Sequence, residues 1–301
     1  MGKIHTIYLI ATLVLILTLL IGCSINSNKP VDETKIEKDI KSFHYQLQST
    51  SFKDLKSLNV DFLIIDVDDS NLNSFQISVL KQTENGKKEN MKILSYLSIG
   101  EAEDYRNYWK ETWKVRNPDF IDLENPEWKG NYKVNYWDVV WQNITIERIK
   151  DIADLGYDGV YLDVVDAFEY YQNKGRDTAK QDMVEFVGTL SKAIKEIYPN
   201  FIIVSQSNPE LYEEENFKNA IDGIGRESVW YQNDEKISED NVNYVLDYMK
   251  ITKNDGKLVF VIDYPTTNQN VCDFYSKCKE EEFYCLATNV ALDRNIPITC
   301  H

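Results

Sequence analysis

The sequence predicts an α/β protein, a single-domain (β/α)8 TIM barrel, on three observations. Eight short runs rich in β-branched and aromatic residues recur along the chain, helical patterns separate several of them, and polar, mostly acidic residues close them. Continuous apolar strands alternating with helices form a parallel sheet covered on both faces. Eight strands, none followed by G-x-G-x-x-G or a P-loop, favour a closed barrel over the alternative, an open doubly wound sheet.

The first segment stands apart. Lys3 opens a short basic region, residues 7–21 are almost wholly apolar, and Leu20-Ile21-Gly22-Cys23 places a cysteine after small residues. That order predicts a secretory signal over residues 1–22. Leu-x-Gly-Cys also resembles the bacterial lipobox, which implies cleavage before Cys23, lipidation of its thiol and a membrane partner held through the lipid. An uncleaved anchor and a plain signal peptide are the alternatives. Residues 23–40 are polar, lack an apolar period and read as a tether. The barrel then occupies residues 41–301 and works outside the cytoplasm.

Within the barrel the runs begin with FHYQLQ at Phe43, DFLIIDVDD at Asp61 and MKILSYLSIGE at Met91. GVYLDVVD follows at Gly159, NFIIVSQSN at Asn200 and IDGIGRESVW at Ile221, then KLVFVIDYP at Lys257 and EFYCLATNVALD at Glu282. Helical patterns cover residues 52–59, 144–155, 182–198 and 241–251. A long stretch after the third run, residues 101–142, reads as an aromatic-rich loop holding Trp109, Trp113, Trp128, Trp137 and Trp141 with Tyr105, Tyr108, Tyr132 and Tyr136. So long a loop in a compact domain is usually functional. Aromatic faces with polar tips suit sugar rings. Half of these rings are expected to form a satellite core instead.

Composition narrows the chemistry. The net charge is −16, and loss of residues 1–22, which removes Lys3 and no acid, makes it −17. Such a surface repels nucleic acid and anionic polymers and admits a neutral or cationic partner. The three histidines are His5, His44 and His301, too few and too scattered for a multi-histidine zinc site or an ordinary Ser-His-Asp triad. No metal or cofactor is expected, so chemistry rests on carboxylates. Cys272, Cys278, Cys285 and Cys300 cluster near the end without a C-x2-C pair. Outside the cytoplasm they predict two disulfides, in any of three pairings, rather than zinc.

Barrel active sites gather at the C-terminal ends of the strands. Those ends carry Asp66 and Asp68, Gly100 and Glu101, Asp163 and Asp166, Gln206 and Asn208, Arg226 and Glu227, and Asp263. Two carboxylates across a groove are the minimum equipment for glycoside hydrolysis, one protonating the leaving oxygen and the other attacking C1 or activating water. Asp163 and Glu227 lie on the fourth and sixth strands, placed to flank a sugar. A strand-end Asp serves equally as a helix N-cap, a role for which Glu is poor. Arg226 is a possible ion partner for Glu227, although neighbours on a strand face opposite ways.

YLSIGEAEDYR, NPEWKGNYKVNYWD, GYDGVYLDVVDAFEYY, QSNPEL and GIGRESVW, in this order, resemble the marks of glycoside hydrolase family 114, the endo-α-1,4-polygalactosaminidase-type TIM barrels. The similarity spans residues 43–293, and the cysteine-rich end matches no hallmark of the family. The resemblance implies a retaining mechanism with Asp163 as nucleophile and Glu227 as acid/base, acting on α-1,4-linked galactosamine or N-acetylgalactosamine polymers. Asp163 is then expected ionised and Glu227 protonated near neutral pH. Asp66, Tyr96, Glu101, Asp166, Trp137, Arg226, Trp230 and Asp263 are the substrate-binding candidates. An acidic mouth of Asp66, Glu101, Asp163, Asp166 and Asp263 would draw in a polycationic galactosaminan. A non-catalytic carbohydrate-binding lipoprotein on the same barrel is the alternative. A metal-dependent deacetylase is disfavoured by the histidine count.

Overall fold

A computed structural model describes residues 41–82, 91–206 and 208–293. The signal segment, Cys23, the tether and Cys300 lie outside the described residues. Eight parallel strands form the central sheet: β1 Phe43–Gln46, β2 Phe62–Asp66, β3 Lys92–Ser98, β7 Gly159–Asp163, β8 Ile202–Gln206, β9 Gly223–Glu227, β12 Leu258–Asp263 and β13 Tyr284–Ala287. They neighbour one another in that order. A parallel bridge from Ser42 to Cys285 brings the first strand to the last, so the sheet nearly closes. Each predicted run supplies one strand.

Helices fill the crossovers close to the predicted patterns: Phe52–Ser57, Val139–Asp154, Ala179–Lys195 and Glu239–Asn254. Side chains set several of the starts. Asp138 accepts from Val140 N at 2.7 Å, and Asn208 accepts from Glu210 N at 2.9 Å, each satisfying a helix-start N–H that has no partner within the helix.

Strand alternation divides the core in two. Tyr45, Ile64, Leu94, Tyr161, Val204, Phe260, Ile262 and Leu286 fill the barrel interior. Their strand neighbours, among them Leu63, Ile93, Val160, Leu162, Ile203, Ile224 and Val261, face the helices. A side chain's place in this two-residue period therefore decides whether it reaches the barrel mouth or the outer shell.

The stretch 101–142 is more ordered than a loop. It contains a three-stranded antiparallel sheet of β4 Glu101–Glu103, β5 Ile121–Glu124 and β6 Asn131–Val134, with β6 in the middle, and runs into the helix Val139–Asp154. Trp141 is buried on that helix and donates to Ile99 O at 2.9 Å. Trp109 stacks on Tyr132 at 4.9 Å and meets Trp113 edge-on at 5.5 Å. Most of these rings are thus packing, while Tyr105 and Trp128 stay exposed. At the other end Cys278 is bonded to Cys285, tying the helix Asn268–Glu281 to β13. Cys272 is also in a disulfide. Among the described residues no helix is long and apolar enough to cross a membrane.

Candidate active site

Asp163 ends β7 in phase with Tyr161, whose side chain fills the barrel interior. Glu227 ends β9 in phase with Gly225, where an added Cβ would lie 2.0 Å from the Tyr161 hydroxyl. Both carboxylates therefore point inward at the top of the barrel. The Gly225 position has no room for a side chain because Tyr161 crosses the floor there and donates to Gln206 of β8.

Each acid is held by groups from neighbouring strands. Asp163 accepts from Tyr96 Oη at 2.9 Å and from Val164 N at 2.8 Å. Glu227 accepts from the hydroxyl of Tyr264 and from Gln206. Immediately after each acid the chain turns through the left-handed region, with φ of 58° at Val164 and 53° at Ser228. Such backbone costs about 1–3 kcal/mol at a non-glycine residue and persists only where its surroundings enforce it. The surroundings are visible. Gly100 lets the Val164 carbonyl approach to within 2.1 Å of where a Cβ would stand, and Ser228 N donates to Ile262 O at 2.9 Å.

The electrostatics follow from this crowding. Burial, with the negative charge of Glu227 adding to it, pushes Asp163 up to about 7 against the pull of Val164 N and Tyr96. Burial also raises Glu227, opposed by Tyr264, Arg226 and Gln206. Two carboxyl groups that disfavour each other's charge titrate as a pair. Glu227 has the richer set of stabilising neighbours, so in the free barrel the proton is drawn toward Asp163. This reverses the distribution expected from the sequence. The hydroxyls of Tyr45, Tyr96, Tyr161 and Tyr264 are raised by burial and by these charges, which keeps them protonated as donors.

The other candidates divide. Tyr96 points inward onto Asp163. Asp166 is exposed at the mouth, at the start of the helix Ala167–Asn173. Trp137 is half-buried with the Arg176 guanidinium 3.7 Å above its ring. Arg226 lines a groove beside Glu227.

The four remaining candidates are engaged within the protein, two facing away from the mouth and two paired beside it. Asp263 is 0 % exposed and out of phase with the interior, accepting from the N–H groups of Val229, Trp230 and Tyr231 at 2.7 Å each. Trp230 is buried edge-on against Phe274 of the outer helix Asn268–Glu281. Asp66 is engaged bidentately by Arg106 at 2.7 and 2.6 Å, and the same guanidinium holds Glu103 at 2.7 Å. Glu101 is buried under Asn125 at 2.8 Å and Lys133 at 3.3 Å, fastening the small sheet. The acidic mouth expected from strand ends is therefore built differently. Asp163, Asp166 and Glu227 belong to it; Asp66, in phase with Ile64, and Glu101, whose charge acts on Asp166, stand beside it paired with Arg106 and Lys133, and Asp263 faces away.

Tyr161 and Tyr264 were absent from the sequence-derived set, and Gln206 was read at a strand end without being given a site role. Counting alternate residues back from Asp163 and Glu227, and forward from the apolar interior positions, finds all three. Beyond Glu227 a groove of about 500 Å³ opens, lined by Glu169, Asn208, Glu210, Arg226 and Tyr244 among others.

A TIM barrel with two coupled, inward-facing carboxylates at its mouth has the equipment of a glycosidase. The chain belongs to glycoside-hydrolase family GH114, whose family model matches residues 26–300. An uncharacterized protein of Methanocaldococcus jannaschii is 34% identical over 253 residues, spanning 79% of this chain and 72% of that protein. An uncharacterized protein of Thermotoga maritima is 28% identical over 255 residues, spanning 78% and 76%. Among solved structures the glycoside hydrolase domain of PelA from Pseudomonas aeruginosa is similar at a TM-score of 0.67 and 14% identity, with 84% of this chain and 96% of that one covered. Aspergillus fumigatus Ega3 in complex with galactosamine is similar at a TM-score of 0.64 and 20% identity, covering 84% and 92%. At these identities the two solved structures bear on the fold alone.

Proposed function

We propose that this protein cleaves an amino-sugar polysaccharide, an α-1,4-linked galactosamine or N-acetylgalactosamine polymer, by a retaining two-carboxylate mechanism. The observation that carries the reading is the pair itself: Asp163 and Glu227 are both inward, both half-buried and both raised, with tyrosine donors fixing each. A module that only binds sugar has no need of two coupled acids, each set before a left-handed turn. The galactosamine in the Ega3 complex supports the choice of sugar.

In the first step Asp163 Oδ attacks C1 as the bond from C1 to the leaving O4 breaks, and Glu227 gives that oxygen its proton. A water then attacks C1, returns a proton to Glu227 and frees Asp163. The proton must first sit on Glu227. An ammonium on C2 of the bound sugar stands next to C1 and hence next to Asp163, where it favours the ionised carboxyl and moves the shared proton across the pair. A cationic substrate thus sets the protonation state that its own cleavage needs.

On the strength of the lipobox-like Leu20-Ile21-Gly22-Cys23 the enzyme is assigned to the outer side of a membrane, held through acylated Cys23. Cys23→Ala should release it from membranes or leave it unprocessed. The activity is tested by incubating purified protein with galactosaminan, chitosan and peptidoglycan and sequencing released oligosaccharides by mass spectrometry. Oligosaccharides from galactosaminan support the reading. Binding of the polymer without cleavage replaces it with the carbohydrate-binding lipoprotein.

A further inference from the structure

The floor beneath the two acids is built by three adjacent strands, β7, β8 and β9. Tyr161 of β7 is 0% exposed and in phase with Asp163, so its side chain projects into the barrel interior. Gln206 of β8 stands opposite Gly225 of β9, which is in phase with Glu227. The Tyr161 phenol reaches both strands. It donates to Gln206 Oε1, and its oxygen lies 2.0 Å from where a Cβ on Gly225 would stand.

A primary amide has an oxygen that only accepts and a nitrogen that only donates. With Oε1 taken by Tyr161, Nε2 is the end left for the Glu227 carboxylate, on which Gln206 acts as a hydrogen-bond donor. The backbone of Glu227 is fixed from the other side. Ser228 N donates to Ile262 O, and Asp263 holds the next three N–H groups. The chain then enters the hairpin of β10 Tyr231–Gln232 and β11 Glu235–Lys236. Glu227 is thus held still while the amide beneath it is aimed by a phenol.

We propose that Tyr161 is a positioning residue for the acid/base. It holds the Gln206 amide with Nε2 toward Glu227, where that N–H stabilises the carboxylate left when the leaving oxygen takes the proton. This rests on the glycosidase reading above. Tyr161 acts through Gln206 and transfers no proton itself, because burial and the charges of Glu227 and Asp163 keep its hydroxyl protonated.

Glu227 is faced by Tyr45 of β1, Tyr161 and Asp163 of β7, Tyr264 after β12, and its own neighbour Arg226. Asp163 is the partner with which it titrates. In the free pair the proton is drawn toward Asp163, so the first to leave is that of Glu227. The ascending limb of kcat/KM against pH reports that loss.

The test is a double-mutant cycle read by pH profile on galactosaminan. Tyr161→Phe keeps the ring that fills the floor and removes only the hydroxyl. With the amide released, the Glu227 carboxylate is less favoured, and the ascending limb should move to higher pH by roughly half to one pH unit. The descending limb should move less. At neutral pH kcat/KM should fall several-fold more on polymer than on an activated aryl glycoside, whose leaving group needs little protonation. Gln206→Ala should move the ascending limb the same way, and the double variant should go no further than Gln206→Ala alone. An ascending limb unmoved in Tyr161→Phe, or shifts that add in the double variant, overturns the positioning role while the glycosidase reading stands. Failure of wild type to cleave any amino-sugar polymer removes both.

Discussion

Tyr96 of β3 donates its hydroxyl to Asp163 Oδ2 of β7 at 2.9 Å, across the join between two neighbouring strands. The bond favours the charged carboxylate and opposes the burial that pushes Asp163 up to about 7. Activity requires one proton on the pair, so kcat/KM should fall as pH rises past about 7 and the last proton leaves. Tyr96→Phe removes a donor to the charged form and raises Asp163 further. The descending limb of the pH profile should therefore move to higher pH, and an unmoved limb would show that Asp163 does not set it.

Asp163 also links stability to pH. Its carboxyl is raised from 3.8 to about 7 on folding, so the folded state holds a proton that the unfolded chain releases between those values. The stabilising contribution is complete below pH 4 and is lost as pH rises through 7. Asp163→Asn cannot titrate. Measured by chemical denaturation, its stability relative to wild type should rise with pH across that window, by roughly 2 kcal/mol or more. A difference that stays flat from pH 4 to pH 8 would contradict the shift.

Asp263 is likewise pushed up to about 7 by burial, against the pull of three backbone N–H groups in the segment directly after Glu227 and Ser228. Asn at this position would turn an amide N–H₂ toward at least one of those donors. Asp263→Asn should cost roughly 2–4 kcal/mol of stability by urea unfolding, from buried donors left without acceptors. Asp166→Asn, at an exposed position, should leave stability within about 0.5 kcal/mol.

The bond between Cys278 and Cys285 closes a short loop, with a sequence separation of 7. Loop-closure entropy for that length gives about 2.5 kcal/mol. Cys278→Ser with Cys285→Ser should lower stability by that order and leave the pH profile of activity unchanged. Non-reducing peptide mapping should find Cys278 joined to Cys285, and Cys272 joined to Cys300 as the remaining pair. Any other pairing would contradict this connectivity.

The eight barrel strands were legible because a strand buried on both faces writes itself as an uninterrupted apolar run, as in FLIID or LVFVID. The acids at their ends were legible for the same reason, since polarity returns where the barrel opens. What a single strand does not reveal is which of two adjacent end residues faces inward. That phase separates Glu227 from Arg226 and Tyr264 from Asp263, and it is fixed by register against neighbouring strands. The small sheet of β4, β5 and β6 was hidden by its short strands and by aromatic residues whose pattern suits a binding loop equally well. The anchoring of Asp66 by Arg106 joins residues 40 positions apart, beyond the reach of any local pattern.

The division of labour between Asp163 and Glu227 is tested most directly with an activated aryl α-galactosaminide, whose leaving group needs little protonation. Glu227→Ala should still form the glycosyl-enzyme, and azide should accelerate turnover and give a glycosyl azide that keeps the α configuration. Asp163→Ala should lose about a thousandfold or more, roughly 4 kcal/mol of transition-state stabilisation, and azide should not restore that configuration. Wild-type rates in both variants, or azide rescue with retained configuration in Asp163→Ala, would place the chemistry on other residues.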